Sequence, residues 1–396
     1  MFYGGGAFLS FILLAYFSKM KFGLTEAGIF LGFYSIVYSG GSFASLGLYS
    51  RAPSWVIRDR DRSGNFLKKH LVLAALVKVT LLSVLALTFN PQSFNFGNLP
   101  VFLVAAGILQ VAMLMMLCGL SNGYKNFHCS RLNFVIAPNF VAIGLFFVCG
   151  LPLMPALVAA LMGCNIIHFL LIGRLSQWRT DVASLEGSQG KHATFSIAMI
   201  LPVAILSILP QIDIWVLYNL LEGGDIFIYT FFARFLMIPM FPVISFNNVM
   251  YSTLPGLAYA KDFEAIERAF FGKYKRIRLV VVAAAISLPV FAYIAAQMVG
   301  VPFDWRAIGL LLALIMGYGC ISLFPPYEVL IYAFEAQSQS LLLSMCVLLL
   351  SATGVFLMAA TPYFWLSPLI PAAGMLSMRY AYKSIYEAKK KENLSL

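Results

Sequence analysis

Charged residues are scarce in this sequence, 11% of 396 against 61% that are apolar. Soluble globular domains carry about 25%. A chain so poor in charge cannot cover a water-facing surface, and it reads as a polytopic membrane protein. Acids are scarcer still, 16 against 27 Lys and Arg. In a soluble protein a net charge of +11 would suggest nucleic acid. Here the basic residues sit in connectors between apolar runs, with no basic stripe or recognition helix, so no nucleic-acid partner is expected. Histidine occurs four times without clustering, and the six cysteines form no C-x-x-C. That pattern excludes a metal site and a disulfide framework, and leaves the cysteines as small core residues. No cofactor is expected. The N-terminal stretch lacks the basic segment and small-residue cleavage site of a signal peptide, so it reads as a retained first span.

What the sequence has in abundance is long apolar runs. A helix needs roughly 20 apolar residues to cross the hydrocarbon core. Twelve candidates follow: 3–18, 27–48, 71–89, 101–122, 132–149 and 152–172 in the first half, then 195–220, 226–249, 277–299, 305–332, 341–360 and 363–382. Between the second and third lies Tyr49 to His70, which alone holds six Lys or Arg. Counted over alternate connectors and the C-terminal tail, one set carries 22 basic residues and the other 3, namely Lys19, Lys21 and Arg306. Such a split places the richer set, with both termini, in the cytoplasm. A cysteine introduced at Ser63, on a cysteine-free background, is therefore expected to resist an impermeant thiol reagent in intact cells. Labelling there would reverse the topology.

The chain also looks duplicated. Tyr49-Ser50-Arg51-Ala52-Pro53 follows span two, and Tyr251-Ser252-Thr253-Leu254-Pro255 follows span eight. Gly28-Ile29-Phe30-Leu31 opens span two, and Asp225-Ile226-Phe227-Ile228 opens span eight. An even number of spans per repeat makes the halves parallel, related by an axis along the membrane normal. The expected division is a six-helix lobe over residues 1–192 and another over 193–396.

At these residues the sequence resembles a family. Phe22-Gly23-Leu24-Thr25-Glu26-Ala27-Gly28-Ile29-Phe30 looks like the short outer turn of Wzx-like polysaccharide repeat-unit flippases, within the MATE-related multidrug/oligosaccharidyl-lipid/polysaccharide superfamily. The run from Ile228 to Pro239 and the loop from Tyr259 to Arg268 are similar to that family's second half. The resemblance covers nearly the whole chain. It implies an all-α integral membrane protein, with twelve transmembrane helices in two parallel six-helix lobes around a central cavity, working by alternating access. It also implies an undecaprenyl-pyrophosphate-linked oligosaccharide as substrate, turned to the outer leaflet of a bacterial inner membrane for O-antigen, capsule or exopolysaccharide synthesis. Membrane lipid and other polysaccharide-assembly proteins are the partners expected with it.

Intramembrane charges are costly, about 2.5–3.5 kcal/mol at a helix centre, so each is a candidate site residue. Arg234 lies about 12 Å into span eight, and a guanidinium fork suits phosphate oxygens. Asp213, near the same depth in span seven, is either its ion-pair partner or a coupling residue. Lys78 in span three fits a substrate contact or a snorkelling lysine. Arg51, beside Pro53, is placed to meet an entering headgroup, although topology alone also accounts for its charge. Glu328, beyond Pro325-Pro326, is a coupling or ion-pair candidate; a solvated helix-end carboxylate is the plainer reading.

Rival functions are a membrane polymerase or transferase and a cation-coupled drug exporter. The outer connectors are all about ten residues or fewer and contain only Glu26, Glu222, Asp225 and Asp304 as acids. That leaves no room for paired catalytic carboxylates, so the protein is expected not to be an enzyme. An exporter of cations needs acids in its cavity, and Asp213 stands against Arg234 and Lys78.

Overall fold

The computed structural model describes residues 2–45, 64–88, 95–96, 99–123, 136–177, 197–334 and 336–394. Nearly all of them are helical, apart from a two-residue antiparallel pairing of Asn95–Phe96 with Leu99–Pro100. Each of the twelve predicted spans contains helix among its described residues. Among the described residues six helices are long and apolar enough to cross a membrane, or seven if the bent pair Gly223–Leu236 and Ile238–Tyr251 is one span. Three shorter apolar helices, Val72–Thr88, Ala137–Cys149 and Leu201–Leu217, stand at further predicted spans.

The count of long helices is below twelve for local reasons. Spans one and two run together as Phe2–Ala44, interrupted at Gly23, whose φ of 80° and ψ of −179° no helix adopts. The glycine of the Phe22-Gly23 motif is thus the break between two spans, in a conformation that costs a side-chain-bearing residue energy. Span seven contains Pro202 and then a 3₁₀ turn at Leu209–Gln211 carrying Pro210. Span ten passes through a π-helical turn, Ile315–Gly319, and ends at Leu323. Phe324 is extended, Pro325-Pro326 follows, and Tyr327–Ala333 forms a separate short helix. Proline lacks the N–H needed to continue a helix, so these breaks are written in the sequence.

By internal contacts the chain forms two units. One comprises Met1–Ile36 with Ile205–Leu396, the other Val37–Ala204. The division expected at 192/193 is one of sequence; in packing, span one and the start of span two group with second-half helices. In the first unit Phe8 meets Phe235 edge-on at 4.8 Å. Lys19 Nζ donates to the carbonyl oxygens of Val299 and Gly300, which close helix Lys273–Val299.

The first repeated motif begins in close contact with the backbone two residues before the second. A Cβ on Gly28 would lie 1.9 Å from the carbonyl oxygen of Gly223, and one on Gly223 would lie 2.6 Å from Thr25 Cγ2. Backbone cannot move away cheaply, and overpacking costs about 1–3 kcal/mol. Gly28→Val is therefore expected to lower the unfolding temperature in detergent, whereas Gly163→Ala, which meets nothing within 4 Å, should not. Equal melting of both variants would contradict this packing.

The second unit is built on helices Gly64–Thr88, Val101–Gly123, Ala137–Cys149 and Leu153–Gln177. Leu76, Met113, Leu117 and Ile172 form its apolar core. Beside it runs a buried polar layer. Gln110 Nε2 donates to Ser83 Oγ at 2.9 Å, and Asn165 Nδ2 donates to Gln110 Oε1 at 2.6 Å. Ser121 Oγ and His168 Nε2 are 2.7 Å apart. Hydrogen bonds of this kind join helices in apolar surroundings, each contributing about 0.6–2 kcal/mol.

Candidate functional site

Within the first unit the chain brings Arg234 and Asp213 to one small cavity. Arg234 follows helix Gly223–Ala233, on the 3₁₀ turn Arg234–Leu236 that precedes helix Met237–Tyr259. It is 9% exposed, and its Nη2 donates to Ser35 Oγ at 2.6 Å. The guanidinium lies 5.0 Å from the Tyr34 ring centroid and 5.6 Å from that of Phe11. Aromatic faces attract a cation by about 2 kcal/mol when both are desolvated. Two rings and a hydroxyl thus hold a positive charge in an apolar surrounding.

Asp213 lies in the first turn of the short helix Ile212–Leu217, after the break at Pro210. It is 2% exposed. Oδ2 accepts from the Tyr229 hydroxyl at 2.5 Å, and Oδ1 accepts from the Ile214 N–H at 2.9 Å. The Tyr229 hydroxyl is also 2.7 Å from Ser367 Oγ. Asp213 is therefore satisfied by a tyrosine and a backbone amide, and no direct ion pair joins it to Arg234. Between them is a cavity of about 10 Å³ lined by Gln211, Asp213, Arg234 and Tyr318, among others. That is the room of a single water molecule. Arg234 and Asp213 feel each other across this space without touching.

The other sequence candidates lie elsewhere. Lys78 is exposed on helix Gly64–Thr88 in the second unit, on a face shared with exposed Leu81, Leu82 and Leu85. Arg51 lies outside the described residues. Glu328 is ion-paired: its Oε1 accepts from Arg379 Nη2 at 3.2 Å, with the two side chains 14% and 6% exposed. The structure thus unites Arg234 with Asp213, gives Glu328 a separate partner, and leaves Lys78 in the other unit.

Several polar residues escaped the sequence reading. Ser35 and Tyr34 flank Arg234. Tyr229 and Ser367 hold Asp213. His168 sits fully buried in helix Leu153–Gln177. A histidine in the middle of an apolar run was the available signal, and in the structure it bonds Ser121 within the second unit.

The polar cavity and the broken helices occur on a fold with known counterparts. A MATE solved in complex with MaL6 superposes with a TM-score of 0.65 at 14% identity, covering 98% of this chain and 95% of the other. A MOP superfamily transporter from Pyrococcus furiosus, described as having a binding pocket of reverse polarity, also gives 0.65 at 14% identity, covering 99% and 93%. An outward-facing multidrug resistance MATE family transporter gives 0.63 at 16%, covering 98% and 94%. The chain has the fold of MATE and MOP superfamily transporters. That fold is twelve helices in two lobes, a multi-pass membrane architecture. No family model matches the chain, and no curated protein does.

Proposed function

We propose that this protein is a flippase, which carries an undecaprenyl-pyrophosphate-linked oligosaccharide from the cytoplasmic to the outer leaflet by alternating access. The observation that carries the reading is the buried, aromatic-caged guanidinium of Arg234 beside a polar cavity. An anion crossing the bilayer must exchange its hydration for fixed positive charge, and a guanidinium does this with geometry matched to phosphate. The motifs around Gly28 and Arg234 support it by their resemblance to polysaccharide-unit flippases. On this reading Lys78 and Arg51 are further substrate contacts, both lobes (1–192 and 193–396) take part, and both termini face the cytoplasm of a bacterial inner membrane. The protein moves its cargo without transforming it.

A second reading, cation-coupled multidrug export, is favoured by one observation. Asp213, a buried carboxylate, lines the same cavity as Arg234, and an acid in a cavity suits a cation. The reverse-polarity pocket described for the Pyrococcus furiosus neighbour, said to suggest a different function for that protein, makes pocket charge the property to measure. Purified protein in liposomes loaded with a fluorescent undecaprenyl-pyrophosphate oligosaccharide is expected to expose the label to an external quencher in a protein-dependent manner. No acceleration there, with uptake of cationic dyes instead, would replace the flippase reading by the exporter.

A further inference from the structure

Beyond the transport site, we propose that the first unit carries a binding site for an acidic phospholipid. It occupies the groove between helices Lys273–Val299 and Trp305–Leu323, with one acyl chain in the groove and the phosphate at Arg278. The groove has a volume of about 300 Å³ and is apolar. Val282, Ile286 and Pro289 form one wall, Ile315 and Leu323 the other. Its floor is low because Gly319 stands opposite Ala285, with a hypothetical Gly319 Cβ 3.9 Å from the Ala285 Cβ. One wall contains the π-helical turn Ile315–Gly319; such turns recur at functional sites.

Charge is what selects the occupant. Arg278 precedes Val282 by four residues and Lys275 precedes Arg278 by three, so both continue the groove's face toward the helix N-terminus. Helical side chains lean that way, directing both groups past the groove's end. Both are exposed, and neither has a carboxylate partner among the described residues. The Arg278 guanidinium is 5.7 Å from the Tyr274 ring centroid. The charge asymmetry of the connectors assigns this end to the cytoplasm, where acidic lipid heads concentrate basic groups, about fivefold in affinity per Lys or Arg.

Length selects a phospholipid over an isoprenoid. From Arg278 to Pro289 is eleven residues, about 16 Å of helix, and the hydrocarbon core is about 30 Å thick. The groove therefore matches one chain of one leaflet, and a polyprenyl tail would far overrun it. This site stands whatever cargo the transporter carries.

The test titrates the full-length protein in detergent with dioleoyl-phosphatidylglycerol or dioleoyl-phosphatidylcholine, and counts retained lipids by native mass spectrometry. One phosphatidylglycerol per chain is expected to be held in preference to phosphatidylcholine. Lys275→Gln with Arg278→Gln should weaken its retention about 25-fold and abolish the preference. Ala285→Phe, filling the groove, should remove the bound lipid, whereas Leu349→Phe, on an exposed face of another helix, should not. Equal retention of the two lipids, or no effect of the charge variants on a protein that melts normally, overturns the proposal. So does retention of undecaprenyl phosphate in place of phosphatidylglycerol.

Discussion

Arg234→Ala is expected to insert and fold but to lose transport by about 10–100-fold. One charge-assisted contact contributes about 1.5–3 kcal/mol, and each 1.4 kcal/mol is a factor of ten. Arg234→Lys should recover only part of this, because an ammonium keeps the charge but neither the fork nor the flat face that lies over Tyr34 and Phe11. The decisive control is the double variant Asp213→Asn with Arg234→Gln. Were the arginine present only to neutralise Asp213, removing both charges would restore function, since an unpaired buried charge costs more than an absent pair. The structure argues otherwise. Asp213 is held by Tyr229 and the Ile214 amide, so it does not depend on Arg234 for its hydrogen bonds. The double variant should fold and still fail to transport; full recovery would make Arg234 a structural counter-charge. Tyr34→Leu offers an intermediate: it removes one face of the cage and should reduce transport less than Arg234→Ala does.

Much of the fold was legible because membrane helices are written locally. Apolar length marked the spans, and Gly23 and Pro325-Pro326 marked breaks. The meeting of Gly28 with Gly223 was not legible, since nothing local says that two outer turns touch. The same limit applies to the site. A buried charge announces itself by its cost, so Arg234, Asp213 and Glu328 stood out. Their partners did not: Ser35 is 199 residues from Arg234, and Ser367 is 138 from Tyr229. Neutral hydroxyls and aromatics are too common in apolar runs to be assigned partners from sequence. Depth along the chain placed Asp213 near Arg234, and the two line one cavity; the hydroxyl of Tyr229 that bonds Asp213 carries no such mark.

Glu328 provides the largest stability effect, and its partner shows why. Pro325 and Pro326 supply no N–H, so the carbonyl groups of Ile321 and Ser322, four residues earlier, lose their helical donors. Side chains replace them. Arg379 Nη1 donates to the Ile321 carbonyl oxygen and, at 2.9 Å, to that of Phe324. The Tyr274 hydroxyl reaches Ser322 O at 2.7 Å and Phe324 O at 2.8 Å. Arg379 Nη2 then binds Glu328, which opens the next helix. One guanidinium thus holds both sides of the break in span ten. Arg379→Ala strands a nearly buried carboxylate and takes one of two donors from each carbonyl group, since Ile321 O keeps the Phe324 N–H and Phe324 O keeps the Tyr274 hydroxyl; it should destabilise the first unit by about 3–5 kcal/mol. In practice this is a fall in unfolding temperature and in monodisperse yield. Glu328→Gln alone should also destabilise, by leaving the arginine's charge uncompensated, and Arg379→Met with Glu328→Gln should recover most of the loss. A coupling role for Glu328 predicts a different pattern, in which Glu328→Gln abolishes transport while melting like the unmodified protein. Recovery of stability in the double variant, with transport restored alongside it, would assign the pair to holding the Pro325-Pro326 bend.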